Sequence, residues 1–392
     1  MPRVVCPRCE KAETVQKSGI VRKKQRFYCK DCNYHFTIYH ESIKSRKKQK
    51  PNSGGQTSLL DIAKAVGVSV STVSRALNNH PDISEKTKVA IKSIAKELAY
   101  EPNALAQSLV TRSTHTLGVI IPNLHTTFFA TMLSGIQHVS SQAGYRVVIC
   151  QSDDLHQTEV ANVQALMNNM IDGLLFCHSL ETSTFDHIKI QLRRGIPIVQ
   201  FYRVSLEVET PCVFCEDENG AIQVTEHLIE MGCRRIGILL GPPHLMISKK
   251  RLEGYYKALN KFKIPLDPKL VANVDFSTKS VHSSVDNWLH LDVPVDAVFS
   301  ISDKSAVQTI QYLKKLHIKV PDTVCVAGFG NEYTGEIIEP QLTTFDVRTG
   351  LIGEKTAKLL LNRIIDQNST SENVTVKGHL IVRDSSKRVQ HL

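Results

Sequence analysis

Four cysteines near the start of the chain have the type and spacing to hold a metal ion. Cys6-Pro7-Arg8-Cys9 and Cys29-Lys30-Asp31-Cys32 are two Cys-x-x-Cys knuckles separated by nineteen residues. A two-residue gap lets both thiolates of a knuckle face one tetrahedral centre. Cys6, Cys9, Cys29 and Cys32 are therefore expected to bind a structural Zn2+, with iron as the alternative ion and His35 or His40 as substitute ligands. Asn33, after the second knuckle, tolerates the left-handed backbone that turns N–H groups toward sulfur; Glu10, after the first, is less typical there. Between the knuckles, Val21-Arg22-Lys23-Lys24-Gln25-Arg26-Phe27-Tyr28 reads as a basic hairpin with aromatics. Cys212-Val213-Phe214-Cys215 has the same gap but lies in a strand-like run, where positions i and i+3 point to opposite faces. With Cys150, Cys177, Cys233 and Cys325 it is read as packing.

A second set of polar groups is patterned on a helix. Ser69 precedes Val70-Ser71-Thr72-Val73-Ser74-Arg75-Ala76-Leu77-Asn78. At about 100° per residue, Val73, Ala76 and Leu77 share one face, and Ser71, Arg75 and Asn78 share the opposite one. One face packs and the other presents hydrogen-bonding groups. The guanidinium of Arg75 matches the two major-groove acceptors of guanine; an intrahelical or phosphate contact is its rival role.

The elements that must position this face are equally legible. Ser58 with Asp61 has capping-box spacing ahead of a first helix that Gly67 stops. A third helix opens at Ser84 and carries Ile91, Ile94, Ala95 and Leu98 at i, i+3, i+4 and i+7, a ridge for the first two to bury. This is a helix-turn-helix unit. Pro102 disfavours helix at Glu101, and Asn103 can cap a short helix over 104–109. That helix is far below the roughly 12 to 15 residues at which an isolated helix is marginally stable, so it needs DNA and a partner to form.

The run LLDIAKAVGVSVSTVSRALNNHPDISEKTKVAIKSIAKELAYEPNALAQSL resembles, nearly residue for residue, the DNA-binding head of the lactose/galactose repressor (LacI/GalR) family. The resemblance implies that the second helix enters the major groove of double-stranded operator DNA, with base readout by Val70 and Ser71 and by Arg75 one turn on. Thr72, Ser74 and Asn78 complete the expected DNA-facing set. It also implies a hinge helix at 104–109, two copies of which pack together in the minor groove with Leu109 as the wedge that opens a base step. The segment QRFYCKDCNYHF resembles the zinc ribbons at the N-termini of insertion-sequence transposases. Extra DNA contact is the preferred role of the ribbon, over protein docking.

Charge supports a polyanion partner at one end only. Residues 1–57 carry fourteen Lys and Arg against four Asp and Glu, a surplus of ten that equals the net charge of all 392 residues. From residue 116 onward the balance is near neutral and slightly acidic. The start of the chain shows no secretory apolar core and no run of about 18 apolar residues appears. A cytoplasmic location with reduced thiols and no membrane partner is expected.

From residue 116 buried-strand runs at 117–122, 146–151, 173–177, 198–201, 236–240, 297–301 and 324–329 alternate with amphipathic helices. The expected class is α/β, with doubly wound parallel sheets in two lobes and a ligand crevice at the strands' carboxyl ends. The motifs TLGVIIPN, EHLIEMGCRRIGILLGPP, RLEGYYKAL and EPQLTTFDVRTGLIGEKTAKLLL resemble the family's effector domain, of periplasmic sugar-binding fold. Carried over one at a time, the resemblance implies effector contacts by Arg251 and Asp303, stacking by Phe128 and Phe276, and a further contact by Arg203. Ser302, Tyr202, Glu216 and Gly330 depart from the residues usual at their positions, which leaves the effector's identity open.

The expected organisation is a zinc ribbon over 1–43, a flexible basic linker over 44–57, a head with hinge helix over 58–115, and a two-lobed effector-binding and dimerisation domain over 116–392. The expected protein is a homodimeric repressor whose hold on its operator is set by a small ligand, a sugar or sugar derivative. A transposase-related DNA-processing protein is the alternative. Against an enzyme, no acidic cluster reads as a metal-dependent nuclease core, and Gly328-Phe329-Gly330 lacks the third glycine of a dinucleotide loop.

Overall fold

The computed structural model describes residues 4–9, 11–21, 24–37, 57–101, 113–366 and 372–388. The chain divides into two compact units, Met1–Pro102 and Asn103–Leu392. The expected linker (apart from Thr57), His40, Glu10 and the hinge helix with Leu109 lie outside the described residues.

The first unit begins with an antiparallel sheet in the order β1 (Val15–Val21), β2 (Lys24–Cys29), β3 (Tyr34–Thr37). Three helices follow: α1 (Leu59–Val66), α2 (Val70–Leu77) and α3 (Glu85–Glu97). The Asp61 carboxylate accepts both the Ser58 N–H (3.0 Å) and its hydroxyl (2.6 Å), which starts α1. Gly67, at φ 76°, ends it in left-handed geometry. Ser69 and Ser84 cap α2 and α3 by accepting from Thr72 N–H and Thr87 N–H. The core beneath is small: Ile62, Val73, Ala76 and Ile91 are fully buried. Burial of an Ile or Val side chain is worth about 1.5 to 3 kcal/mol, so few substitutions here are tolerable. One expectation fails. Leu98 does not continue the α3 ridge: the helix ends at Glu97, and Leu98 is its C-cap residue, 37 % exposed.

The second unit holds two six-stranded sheets. One has the order β14-β8-β7-β6-β4-β5, from β4 (Thr116–Ile121), β5 (Arg146–Gln151), β6 (Gly173–Phe176), β7 (Ile198–Phe201), β8 (Cys212–Cys215) and β14 (Val374–Val376). The other has the order β10-β9-β11-β12-β13-β15, from β9 (Ile236–Leu240), β10 (Val271–Asn273), β11 (Ala297–Ser300), β12 (Cys325–Phe329), β13 (Thr343–Asp346) and β15 (His379–Ile381). The central strands are buried on both faces, which is why they read as unbroken apolar runs. The run at 146–151 is not buried as expected: β5 is an edge strand, paired on one side only, and Val148 and Ile149 are exposed. The sheets are not wholly parallel as expected: β15 pairs antiparallel with β13, a short final strand closing an edge without a crossover helix.

Helices α4 (Thr127–Gln142), α5 (His156–Asn168), α6 (Asp186–Arg193) and α12 (Thr349–Ile365) serve the first sheet. Helices α7 (Asp217–Glu230), α8 (Met246–Lys261), α9 (Thr278–Leu289), α10 (Asp303–Lys315) and the single turn α11 (Thr334–Ile337) serve the second. The chain passes between the lobes three times, at β8 to α7, β13 to α12, and β14 to β15. No helix among the described residues is long and apolar enough to cross a membrane.

Candidate DNA-reading face and effector crevice

Helix α2 separates its faces as the periodicity demands. Val73 and Ala76 are buried and Leu77 half-buried, while Val70, Ser71, Arg75 and Asn78 are exposed and Thr72 and Ser74 half-buried. The hydroxyls of Ser69, Ser71 and Thr72 lie 2.8 Å from one another in the pairs Ser69–Ser71 and Ser69–Thr72. The N-terminal end of α2 is thus a cluster of hydroxyls with Arg75 one turn further, a surface of donors and acceptors suited to base edges.

Crevice residues converge from both lobes of the second unit. Arg251 is fully buried on α8. It reaches the crevice because Gly254, one turn on, lets α8 press against α7: a Cβ there would collide with the Glu218 carbonyl. Arg251 donates from Nε and Nη2 to one oxygen of Asp217, at 2.9 and 2.7 Å, and from Nη1 to the Ile301 carbonyl at 2.6 Å. Its guanidinium lies 3.8 Å over the Phe329 ring, a cation–π contact in a dry setting. Asp303 is equally buried, accepting from Glu332 N–H at 2.7 Å and from the Thr344 hydroxyl at 2.6 Å. Phe128 packs on Tyr202 with centroids 4.7 Å apart, and a Cβ at Gly330 would lie 3.4 Å from the Phe128 ring. Gly330, at φ 144°, is a position where the backbone, not the space around it, disfavours a side chain.

Arg203 pairs with Asp154 and donates weakly to the His178 carbonyl at 3.4 Å. Its Nε is buried with no partner, as is the Ser248 hydroxyl one turn before Arg251 on α8. Phe276 takes a left-handed backbone at φ 62°, unusual for a bulky residue, and lays its ring against Gly241.

Burial pushes the Asp303 carboxyl up to about 6, against its two hydrogen bonds. Burial, and then the neighbouring Asp303 charge, pushes Glu332 up to about 7. Asp217 is also raised by burial, with Arg251 pulling the other way. Two adjacent carboxyls that hold protons near neutrality can act as donors as well as acceptors.

In the first unit the four cysteines come together. Cys6 and Cys32 sulfurs are 3.5 Å apart, as are those of Cys9 and Cys29, and all four lie within 4.8 Å of one another. Asn33 adopts the expected left-handed backbone at φ 50°. His35 instead faces the Ser18 hydroxyl at 3.3 Å and lies tilted against the Tyr28 ring, centroids 4.6 Å apart.

Residues 58–103 match the family model described as bacterial regulatory proteins, lacI family. Residues 114–384, well over half of the chain, match the model described as periplasmic binding proteins and sugar binding domain of LacI family. The chain belongs to the LacI family. This LacI-family chain is 30% identical over 327 residues to the HTH-type transcriptional repressor CytR of Escherichia coli (strain K12), covering 83% of this chain and 95% of that protein. Among solved structures it is similar to the transcriptional regulator CelR–cellobiose complex, with TM-score 0.64 and 28% identity over 84% of this chain and 100% of that one. It shares its fold with the lac repressor dimer bound to operator and the anti-inducer ONPF, with TM-score 0.75 and 23% identity over 85% of this chain and 100% of that one. It is a DNA-binding transcriptional regulator of the repressor class with a ligand-binding body, and the recombinase alternative is not favoured. Its homologues are repressors, not enzymes.

In this LacI-family body Phe128, Arg251 and Asp303 lie near one another around Tyr202 and Gly330, Arg203 follows a strand of the first lobe, and Phe276 lies beside Gly241. Sequence reasoning missed Asp217 and Asp154, the ion-pair partners of Arg251 and Arg203, and Glu332, whose N–H donates to Asp303. It singled out Glu216 instead of Asp217, but Glu216 turns to the Gly378 N–H at 3.3 Å. The one usable signal was Asp217's place directly after a strand and at a helix start.

Proposed function

We propose that the small ligand is a sugar or sugar derivative, bound in the crevice of the second unit, whose binding weakens the protein's hold on operator DNA. The observation that carries the ligand class is the set of buried polar groups beside an aromatic platform. Arg203 Nε and the Ser248 hydroxyl lack partners, Arg251 and Asp303 offer directional polar groups, and Phe128 with Tyr202 offers an apolar aromatic surface. A buried donor left unpaired costs about 1 to 3 kcal/mol, which a ligand hydroxyl recovers. The cellobiose of the CelR complex is in keeping with that chemistry.

The DNA contacts assigned to this reading are Val70, Ser71, Thr72, Ser74, Arg75 and Asn78 on α2, with Leu109 as minor-groove wedge. The working form is a homodimer in the cytoplasm, the arrangement named for the lac repressor structure being a dimer. A structural Zn2+ is assigned to Cys6, Cys9, Cys29 and Cys32. Zn–S bonds of about 2.3 Å place tetrahedral sulfurs about 3.8 Å apart, close to the separations found. The ribbon adds DNA contact beside the head. Thermal-shift titration with sugars and nucleosides, followed by operator retention with each hit, tests the reading. A hit that leaves operator binding unchanged contradicts it, and divalent-ion-dependent strand cleavage would restore the recombinase.

A further inference from the structure

Two histidines and one glutamate of the first lobe, none of them part of the crevice described above, converge at the first turns of neighbouring helices. His156 and Glu159 are three residues apart on α5, so they share a face, and His187 comes from α6. One ligand atom from each lies within 4.8 Å of the others. His187 Nε2 is 3.0 Å from Glu159 Oε1, and the imidazole rings of His156 and His187 are 5.3 Å apart, edge to face.

The carboxylate is held from behind. Glu159 is fully buried, its Oε2 accepting the Ser179 N–H at 2.6 Å and its Oε1 the Thr182 hydroxyl at 2.9 Å. His156 Nδ1 lies 3.3 Å from the same Thr182 hydroxyl. Metal-ligating carboxylates and imidazoles are characteristically oriented in this way by an outer layer of backbone and hydroxyl groups. Two imidazoles and a carboxylate suit borderline divalent ions of the zinc, cobalt and nickel group, and three protein ligands leave a position for water. Zn–N and Zn–O bonds of about 2.0 to 2.2 Å set tetrahedral ligand atoms about 3.4 Å apart, which small side-chain rotations reach from the present positions.

We propose that His156, Glu159 and His187 form a second transition-metal site, distinct from the four-cysteine cluster. Its ion ties α5 to α6 and to the Ser179–Thr182 turn. The same turn presents the Leu180 N–H to Asp154, the partner of Arg203, so the ion also stiffens the support of one crevice wall. The proposal does not depend on what the cysteines bind.

Cobalt titration of the full chain, stripped of metal and kept reduced, tests it by visible absorption. Thiolate-bound Co2+ shows strong sulfur charge-transfer bands, whereas a nitrogen–oxygen site shows only weak d–d bands at shorter wavelength. The expected result is a weak, sulfur-free class in the wild type that vanishes in His156→Ala and in His187→Asn, while any thiolate class persists. His187→Asn keeps a hydrogen-bonding group near Glu159, and unchanged unfolding without metal certifies that it folds. Absence of the weak class in the wild type, or its persistence in both folded variants, overturns the site.

Discussion

Arg251 and Asp217 form a buried ion pair in which a single carboxylate oxygen accepts two guanidinium donors, at 2.9 and 2.7 Å. Asp217 stands where the chain first crosses from one lobe to the other, at the junction of β8 and α7. The pair therefore fixes the crevice floor at a point on which both lobes depend. Removing one partner strands the other charge, at a cost of about 3 to 5 kcal/mol. Arg251→Ala should lower the body's unfolding midpoint sharply, and Arg251→Met with Asp217→Leu should recover most of the loss. A double-mutant cycle by thermal or urea unfolding measures this, and additive losses would show the pair to be uncoupled.

Pocket and operator should be separable. Asp303→Asn keeps the volume but exchanges a protonatable acceptor for an amide, and it should abolish the effector response while leaving operator affinity without effector nearly unchanged. Leu109→Ala should do the reverse, weakening operator binding through the lost wedge. Separate titrations with DNA and with effector check both variants. An Asp303 variant that still releases DNA at the wild-type effector concentration would remove that residue from the site.

Arg75→Ala should cost about 1 to 3 kcal/mol on the cognate operator and relax the preference at one base pair. Binding measured across single-base operator variants gives the answer. Equal loss on every sequence would mean a phosphate contact.

The protonation of the crevice acids has a stability signature. Asp303 and Glu332 sit at about 6 and about 7 in the folded chain, above 3.8 and 4.5. The native state holds protons that the unfolded chain has already released, so their contribution is fully present below the unfolded values and lost as pH rises through the folded ones. The unfolding midpoint of the body should fall between about pH 4 and pH 7 on this account. Glu332→Gln should flatten that slope, stabilising the protein more at the alkaline end than at the acid end. Differential scanning calorimetry across the range checks it, and parallel curves for variant and wild type would assign the slope elsewhere.

One zinc per chain is expected at Cys6, Cys9, Cys29 and Cys32, and its removal should unfold the ribbon while sparing the body. Metal analysis paired with unfolding curves for Cys29→Ser reads both effects. Carefully purified protein without zinc would dismiss the assignment.

The sequence by itself determined everything that repeats along one element or closes over a few residues. The Ser58–Asp61 box, the buried Val73 and Ala76 against exposed Arg75, and the apolar runs of β4, β6, β7, β9, β11 and β12 all follow from periodicity and capping, which act within a turn or a strand. The two Cys-x-x-Cys knuckles were legible for the same reason. What only the tertiary structure decided is which distant charges meet. Asp217 is 34 residues from Arg251, and Glu332 is 29 from Asp303. His187 is 28 from Glu159. Hydrophobic pattern reports that a position is buried but carries no information on its partner, because partners are set by strand order and by the three crossings between lobes. The antiparallel β15 and the exposed Leu98 belong to the same class: each depends on where a neighbouring element ends.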